Sequence, residues 1–370
     1  MYKALLMKIL LYNDKTGVRG GTETYVNSIK KEMEGRGFVM ERLTIDVREF
    51  SAFGQGRFSL VHKFRDGLFY KRNVGEAIEA KLRAFEPDLI HINNNAYFTT
   101  TILTVANRLN IPTVQTIHDY RLIPKDGEGV LARFIKKIRL NIVKKQTTHF
   151  IAPSYKFEKI LRARGIENVT YIHHYIEVDR WKTDEQHTRK KRILYIGRFE
   201  VVKGVFVLLD AWKQVAQDLP DYELIFIGEG GESENLSAAI QENNLQKQTK
   251  ILPFQPQNTI KKYLYESELI VVPSAYREMF GLIGLEAFAC EIPVIASDVA
   301  GIPEWCINEK TGLLTAMENP NELAQAIQRI LTDKTLSKRL TEAGKTFLHE
   351  AHDKQKALDI LEELYLSLIR

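Results

Sequence analysis

The chain of 370 residues carries 52 Lys+Arg against 47 Asp+Glu, a net charge of +5, with 44% hydrophobic residues and only two cysteines. That composition excludes a disordered, collagenous or disulfide-stapled chain, and the length predicts two domains rather than one core. The charge is unevenly spread: residues 1–180 hold 30 basic and 19 acidic groups and residues 181–370 hold 22 and 28, so the first half suits an anionic partner and the second does not.

The N-terminal ALLMKILLYND (4–14) is too short for a membrane span, is broken by Lys8 and has no cleavage-site pattern, so it predicts a buried first strand. Strand-like runs then alternate with helical patterns: KILLY (8–12), a helix over about 22–36, VMERLTI (39–45), LIHINN (89–94), TVQTIH (113–118) and THFIAPS (148–154). Residues 173–191 are polar, lack a clear period and read as a linker. The scheme restarts with RILYIG (192–197), ELIFIGEG (223–230), TKILPF (249–254), ELIVVPS (268–274), PVIAS (293–297) and TGLLT (311–315). Short apolar runs bounded by turns and followed by helices predict parallel sheets, hence an α/β chain of two doubly wound, Rossmann-like domains. Ligands bind such folds at the carboxyl ends of the strands, here in a cleft between the two sheets. Cys290 and Cys306 have no metal-ligand spacing and suit a reducing compartment.

The stretch VPSAYREMFGLIGLEAFACEIPVIAS (272–297) places Glu278 before an expected helix over Gly281–Ala289 and Glu286 one and a half turns into it. Unpaired amides at the start of such a helix suit a phosphate, and Gly281 would let it approach the backbone. Glu286 would accept from a ribose diol and Glu278 from hydroxyls on whatever the phosphate carries. For each glutamate alone a blander reading stands beside this one: a favourable charge at a helix N-terminus for Glu278, a solvated helix residue for Glu286. In YIGRFEVVKGVFVLLDAW (195–212), Arg198 and Lys203 follow a strand on loops expected to be exposed. A planar fork and a point charge there suit a diphosphate, although an Arg and a Lys in a loop are more often merely solvated. TGVRGGTETY (16–25) sets Gly17, Gly20 and Gly21 between strand and helix without a strict dinucleotide-binding spacing. TIHDY (116–120) puts His118 and Asp119 at a strand end, and INN (92–94) ends a neighbouring strand that would line an acceptor cleft.

Taken together, P-S-x-x-x-E-x-F-G-L-x-x-L-E-A with A-C-x-x-P-V-I-A-S-D-V-A-G-I-P-E, and the upstream G-R-x-x-x-x-K-G, resemble the retaining GT-B glycosyltransferases of family GT4. Glu291 stands where many relatives have glycine, at the rear of the site. The resemblance implies a GT-B fold with an acceptor domain over 1–173, a donor domain over 174–353 and a last helix, 354–370, packing back on the first. It implies a retaining hexosyltransferase using a UDP- or GDP-sugar of a hexose or N-acetylhexosamine. The acceptor would be a glycan or lipid-linked saccharide in bacterial cell-surface polysaccharide or glycoconjugate synthesis.

By the same resemblance His118, Glu278, Arg198 and Lys203 are the catalytic set. Gly20, Gly21, Arg198, Lys203, Phe280, Gly281, Leu282 and Glu286 bind the donor: Glu278 meets its sugar, Glu286 its ribose, the amides between them its diphosphate, and His118 faces the sugar. No protein nucleophile is expected; the leaving phosphate oxygen takes the acceptor proton during front-face attack. No cofactor is expected, and because D-x-D is absent from the sequence no metal either. No nucleic-acid partner is expected.

VLARFIKKIRLNIVKK (130–145) has a helical period, with Val130, Leu131, Phe134, Ile135, Ile138 and Ile142 on one face. Arg133, Lys136, Lys137, Arg139 and Lys144 lie on the other, and basic residues 57–72 add to the same domain. Such a helix either docks on an anionic membrane or packs its apolar face in the core under a solvated basic face. The first predicts a lipid-linked acceptor and a cytoplasmic protein placed peripherally on the inner face of the plasma membrane. Two other classes stay open: a non-enzymatic nucleotide-sugar-binding protein, and a GT-B enzyme of another kind, a nucleotide-sugar epimerase or a phosphorylase.

Overall fold

The computed structural model describes residues 7–13, 21–45, 71–93, 99–124 and 127–369. The chain divides into two compact units, one of residues 1–173 with 355–370, the other of residues 174–354.

In the first unit six strands form one parallel sheet: β1 (Lys8–Asn13), β2 (Val39–Thr44), β3 (Leu89–Ile92), β4 (Thr113–Thr116), β5 (His149–Ala152) and β6 (Val169–Tyr171), in spatial order β2-β1-β3-β4-β5-β6. Helices cover both faces, which is why central strands such as LLYN in β1 and LIHI in β3 are buried at every position. β6 escapes a reading by periodicity because it is only three residues long and half-buried beyond Val169. The final helix, Lys354–Leu368, belongs to this unit and is anchored there by Arg36, whose guanidinium donates to Glu362 at 2.6 Å and pairs with Asp359 at 2.7 Å.

The second unit repeats the plan with β7 (Lys190–Ile196), β8 (Glu223–Ile227), β9 (Thr249–Leu252), β10 (Ser267–Val272), β11 (Val294–Ser297) and β12 (Leu313–Thr315), in spatial order β12-β11-β10-β7-β8-β9. Side chains alternate across the sheet: Ile193 and Tyr195 enter one apolar layer with Trp212 and Phe226, whereas Leu194 enters the other with Ile270, Phe280 and Trp305. The order runs outward from β7 in both directions, to β8 on one side and β10 on the other, so a topological switch point lies between β7 and β10. Crevices at such points, beyond the carboxyl ends of the strands, are where doubly wound sheets take ligands.

The segment expected as a linker is more ordered than its polarity suggests. It contains a short helix, Val178–Trp181, whose Trp181 is buried in the second unit with Ile176. Near its end Arg189 donates to four carbonyls, those of Leu264 (2.7 Å), Ser267 (2.6 Å), Cys290 (3.1 Å) and Glu291 (2.6 Å), a use of polar residues that no hydrophobic period reveals.

Candidate active site

The switch point of the second unit is built by two loops. After β7 the chain passes Gly197 and Arg198 into a one-turn helix, Val201–Lys203, which ends at Gly204 with φ 74°. A Cβ at Gly204 would lie 1.7 Å from the carbonyl oxygen of Pro273, so only glycine lets this turn rest on the end of β10. The amide of Ala275 donates to the carbonyl of Val202 at 3.1 Å and stitches the two loops together.

That contact brings Lys203 and Glu278 together. The Lys203 ammonium donates to the Glu278 carboxylate, and the Ser274 hydroxyl donates to the same carboxylate oxygen at 3.4 Å. Both side chains are largely covered, with 26% and 20% exposure, so Lys203 does not sit on an exposed loop as expected. Arg198 does: it is 64% exposed and pairs with Glu200. Beneath it the Tyr195 hydroxyl donates to the Arg198 carbonyl at 2.7 Å. Burial raises the Tyr195 pKa far above its ordinary value and nearby Glu278 adds to the rise, so the phenol stays a neutral donor.

The second loop runs from Glu278 to the helix. Its backbone is held by the Gly301 amide, which donates to the Glu278 carbonyl at 2.9 Å, and by the Trp305 indole, which donates to the carbonyl of Phe280. Gly284 lies against the Trp305 ring, where a Cβ would come within 2.4 Å. Phe280 is 1% exposed, and its ring packs edgewise on His174 at 5.5 Å and against His352 at 5.1 Å. Gly281 has φ 88°, so it is not helical and the helix spans only Ile283–Ala289, starting two residues later than the sequence suggests. Glu286 consequently sits in the first turn rather than the second, and burial pushes its carboxyl up to about 7. It is no freely solvated helix residue.

Arg198, Lys203, Glu278 and the Phe280-Gly281-Leu282 bend thus share one end of one sheet, with Glu286 on the turn that follows. Ser274, Tyr195 and Trp305 support them; Ser274 and Tyr195 lay inside the quoted stretches without being given a role, and Trp305 lay just beyond the motif. Gly301 lay inside the quoted motif, and its tight approach, with a Cβ position 1.9 Å from the Met279 carbonyl oxygen, is the signal such a glycine carries.

The remaining expected residues belong to the first unit. Gly17, Gly20 and Asn94 lie outside the described residues, as do 57–70 of the basic stretch, and Gly21 opens the helix Gly21–Gly35. His118 follows β4; its Nε2 lies 3.4 Å from Asn93 Oδ1, and the Tyr25 ring meets it edge-on at 4.9 Å. Burial, with His91 nearby, lowers the His118 pKa to about 3, so the ring is neutral across the physiological range. Asn93 is fully buried, so it does not line a cleft.

The basic helix spans Val130–Gln146, and its packing departs from the expected faces. Leu140 and Val143 are its buried residues, whereas Val130, Leu131 and Phe134 are 86%, 71% and 59% exposed. Lys136 falls on the inward stripe with Leu140 and Val143, is 15% exposed and pairs with Glu128. Arg139 is half-buried, leaving Arg133 and Lys137 in solvent beside the exposed apolar residues. Among the described residues no helix is long and apolar enough to cross a membrane.

Residues 19–180 match the family described as Glycosyltransferase Family 4, and residues 177–347 match Glycosyl transferases group 1. The chain belongs to the family 4 glycosyltransferases. It is 26% identical over 294 residues to a glycogen synthase of Mycobacterium tuberculosis, covering 78% of this chain and 70% of that one. Its fold is that of sucrose-phosphate synthase from Thermosynechococcus elongatus, with TM-score 0.80, 22% identity and coverage of 98% and 99%. Anabaena Alr3699/HepE in complex with UDP-glucose aligns with TM-score 0.77 and 18% identity over 98% of this chain and all (100%) of that one. These likenesses make the fold GT-B. In this glycosyltransferase the motif residues that suggested the family are those gathered at the β7–β10 switch point.

Proposed function

We propose that this glycosyltransferase moves a hexose or N-acetylhexosamine from a nucleoside diphosphate to a hydroxyl of a glycan or lipid-linked saccharide, with retention of anomeric configuration. The observation that carries the reading is the meeting of Lys203 with Glu278 beside Arg198 at the β7–β10 switch point. The two cations stabilise the charge that grows on the leaving diphosphate, each by a charge-assisted contact. Glu278 accepts from sugar hydroxyls, the bend 280–282 offers its amides to the diphosphate, and Glu286 accepts from the ribose diol. His118, neutral at working pH, serves the sugar as a hydrogen-bonding group rather than as a proton shuttle. The C1–O bond to the diphosphate breaks, the acceptor oxygen bonds to C1 on the same face, and the acceptor proton passes to the departing phosphate oxygen. Arg198 and Lys203 supply the charge stabilisation that a divalent cation gives other transferases, so the reaction proceeds without one.

The Anabaena structure holds UDP-glucose, which makes that donor the first to try. Hydrolysis and thermal stabilisation should be measured with UDP-glucose, UDP-N-acetylglucosamine and GDP-mannose, each in excess EDTA. Turnover of at least one with retention at C1 is expected. No turnover of any until magnesium or manganese is restored would contradict the charge assignment. Binding with no turnover under either condition would favour a non-catalytic role.

The exposed Val130, Leu131 and Phe134 beside Arg133 and Lys137 favour docking of this helix on an anionic membrane, and with it a lipid-linked acceptor.

A further inference from the structure

His91 has no part in the reading above, yet it is completely buried in the sheet of the first unit, and both its ring nitrogens are engaged. Nδ1 lies 2.6 Å from the hydroxyl of Tyr365, and Nε2 lies 2.7 Å from the hydroxyl of Thr116. The neutral ring carries one N–H, so it donates to one hydroxyl and accepts from the other. Tyr365 is 0% exposed and stands on the helix Lys354–Leu368, 274 residues along the chain from His91.

From His91 two short paths lead to His118. Thr116 ends β4 two residues before His118 and also hydrogen-bonds Tyr25, whose ring meets His118 edge-on at 4.9 Å and 73°. On the other side, Asn93 Nδ2 donates to the His91 carbonyl at 3.3 Å, which turns its Oδ1 toward His118 Nε2. That orientation makes Nε2 the protonated nitrogen of His118. Ring position and tautomer are therefore both set by groups tied to His91, and His91 is tied in turn to the last helix.

We propose that Tyr365 and His91 are positioning residues of the transferase, which hold His118 in one tautomer and orientation through Thr116, Tyr25 and Asn93. The inference rests on the role proposed for His118. It gives the C-terminal helix a task beyond covering apolar surface: its Tyr365 hydroxyl completes a buried polar network, and networks of this kind specify geometry when every member is satisfied.

Tyr365→Phe removes only the hydroxyl and keeps the ring, which also packs edgewise on Phe38 at 5.9 Å. Thr116→Val interrupts the same network from its other end. The probe is whichever of UDP-glucose, UDP-N-acetylglucosamine and GDP-mannose wild-type protein hydrolyses fastest. Either variant should lower kcat three- to tenfold, leave the affinity for the matching nucleoside diphosphate unchanged, and shift the His118 ring signals in a histidine-labelled NMR spectrum. In a His118→Ala background the same substitutions should cost no further activity. A merely structural role would lower Tm while leaving the His118 signals and kcat in place, and that result would overturn the proposal. So would an equal fractional loss in the His118→Ala background. If His118→Ala itself hydrolyses the donor at the wild-type rate, the role of His118 fails first. That outcome is distinct from an impaired His118→Ala protein whose network variants behave as wild type.

Discussion

The ammonium of Lys203 and the carboxylate of Glu278, 75 residues apart in the chain, meet where the strand order of the second sheet reverses. Each is the other's counter-ion, and on the proposed function a donor entering this site would exchange the Lys203–Glu278 contact for a Lys203–diphosphate contact and free Glu278 for the sugar. The pair holds both groups in place before the substrate arrives, which lowers the entropy lost on binding.

Separating the partners gives unequal results. Lys203→Ala would remove the proposed phosphate contact and strand a largely covered carboxylate, so affinity for the nucleoside diphosphate and turnover should both fall. Glu278→Gln keeps the shape and releases Lys203, so nucleoside diphosphate affinity should hold or rise while turnover drops at least tenfold. Calorimetry and steady-state rates on the two variants compare them; parallel losses would contradict the exchange.

Glu286 sets a pH dependence. Its carboxyl is raised to about 7 by burial, so below that pH it holds a proton and has lost part of its capacity to accept from a ribose diol. Nucleotide affinity should therefore rise from pH 5.5 through 7 and level off near pH 8. Glu286→Gln should bind more weakly at pH 8 and show a flatter profile than wild type. Stability runs the other way. A folded pKa above the unfolded value of 4.5 favours the fold fully below about 4.5, and this contribution is lost as pH rises through 7. Glu286→Gln should accordingly raise Tm at pH 8 and leave it nearly unchanged at pH 4.5, as differential scanning calorimetry can show.

On the first unit the exposed end of the helix Val130–Gln146 makes the membrane test specific. Each basic residue near an anionic surface contributes about 1 kcal/mol, screened by salt. Arg133→Glu with Lys137→Glu should abolish sedimentation with phosphatidylglycerol vesicles at low salt. Lys136→Glu should matter less to sedimentation, because Lys136 already faces inward against Glu128. Sedimentation that survives the double reversal would remove the docking role from this helix.

Much of the sheet architecture was legible because buried parallel strands are written as apolar runs: among the described residues eleven of the twelve strands coincide with runs read from the sequence, and Val169–Tyr171 was too short to stand out. The motif around Arg198, Lys203, Glu278 and Glu286 was legible for another reason, its position-by-position resemblance to family GT4; Arg198 or Lys203 alone would have read as a solvated loop residue. What the sequence concealed depends on neighbours distant in the chain. No local pattern announces that Lys203 meets Glu278, that Arg189 gathers four carbonyls, or that Tyr365 reaches His91. The helix at 130–146 misled for a related reason. Two apolar stripes are available on it, and the core took Leu140 and Val143 while leaving Val130, Leu131 and Phe134 outside.

The central claim is that Arg198 and Lys203 hold the diphosphate of a nucleotide sugar at the β7–β10 switch point. Titrating UDP and GDP into wild type and Arg198→Ala by calorimetry tests it most directly, because Arg198 is exposed and its removal should leave the fold intact. A charge-assisted contact of roughly 1.5–3 kcal/mol predicts a ten- to hundredfold weaker affinity for the preferred nucleotide, with an unchanged circular dichroism spectrum and Tm. An Arg198→Ala protein that binds its nucleoside diphosphate as tightly as wild type would contradict the account.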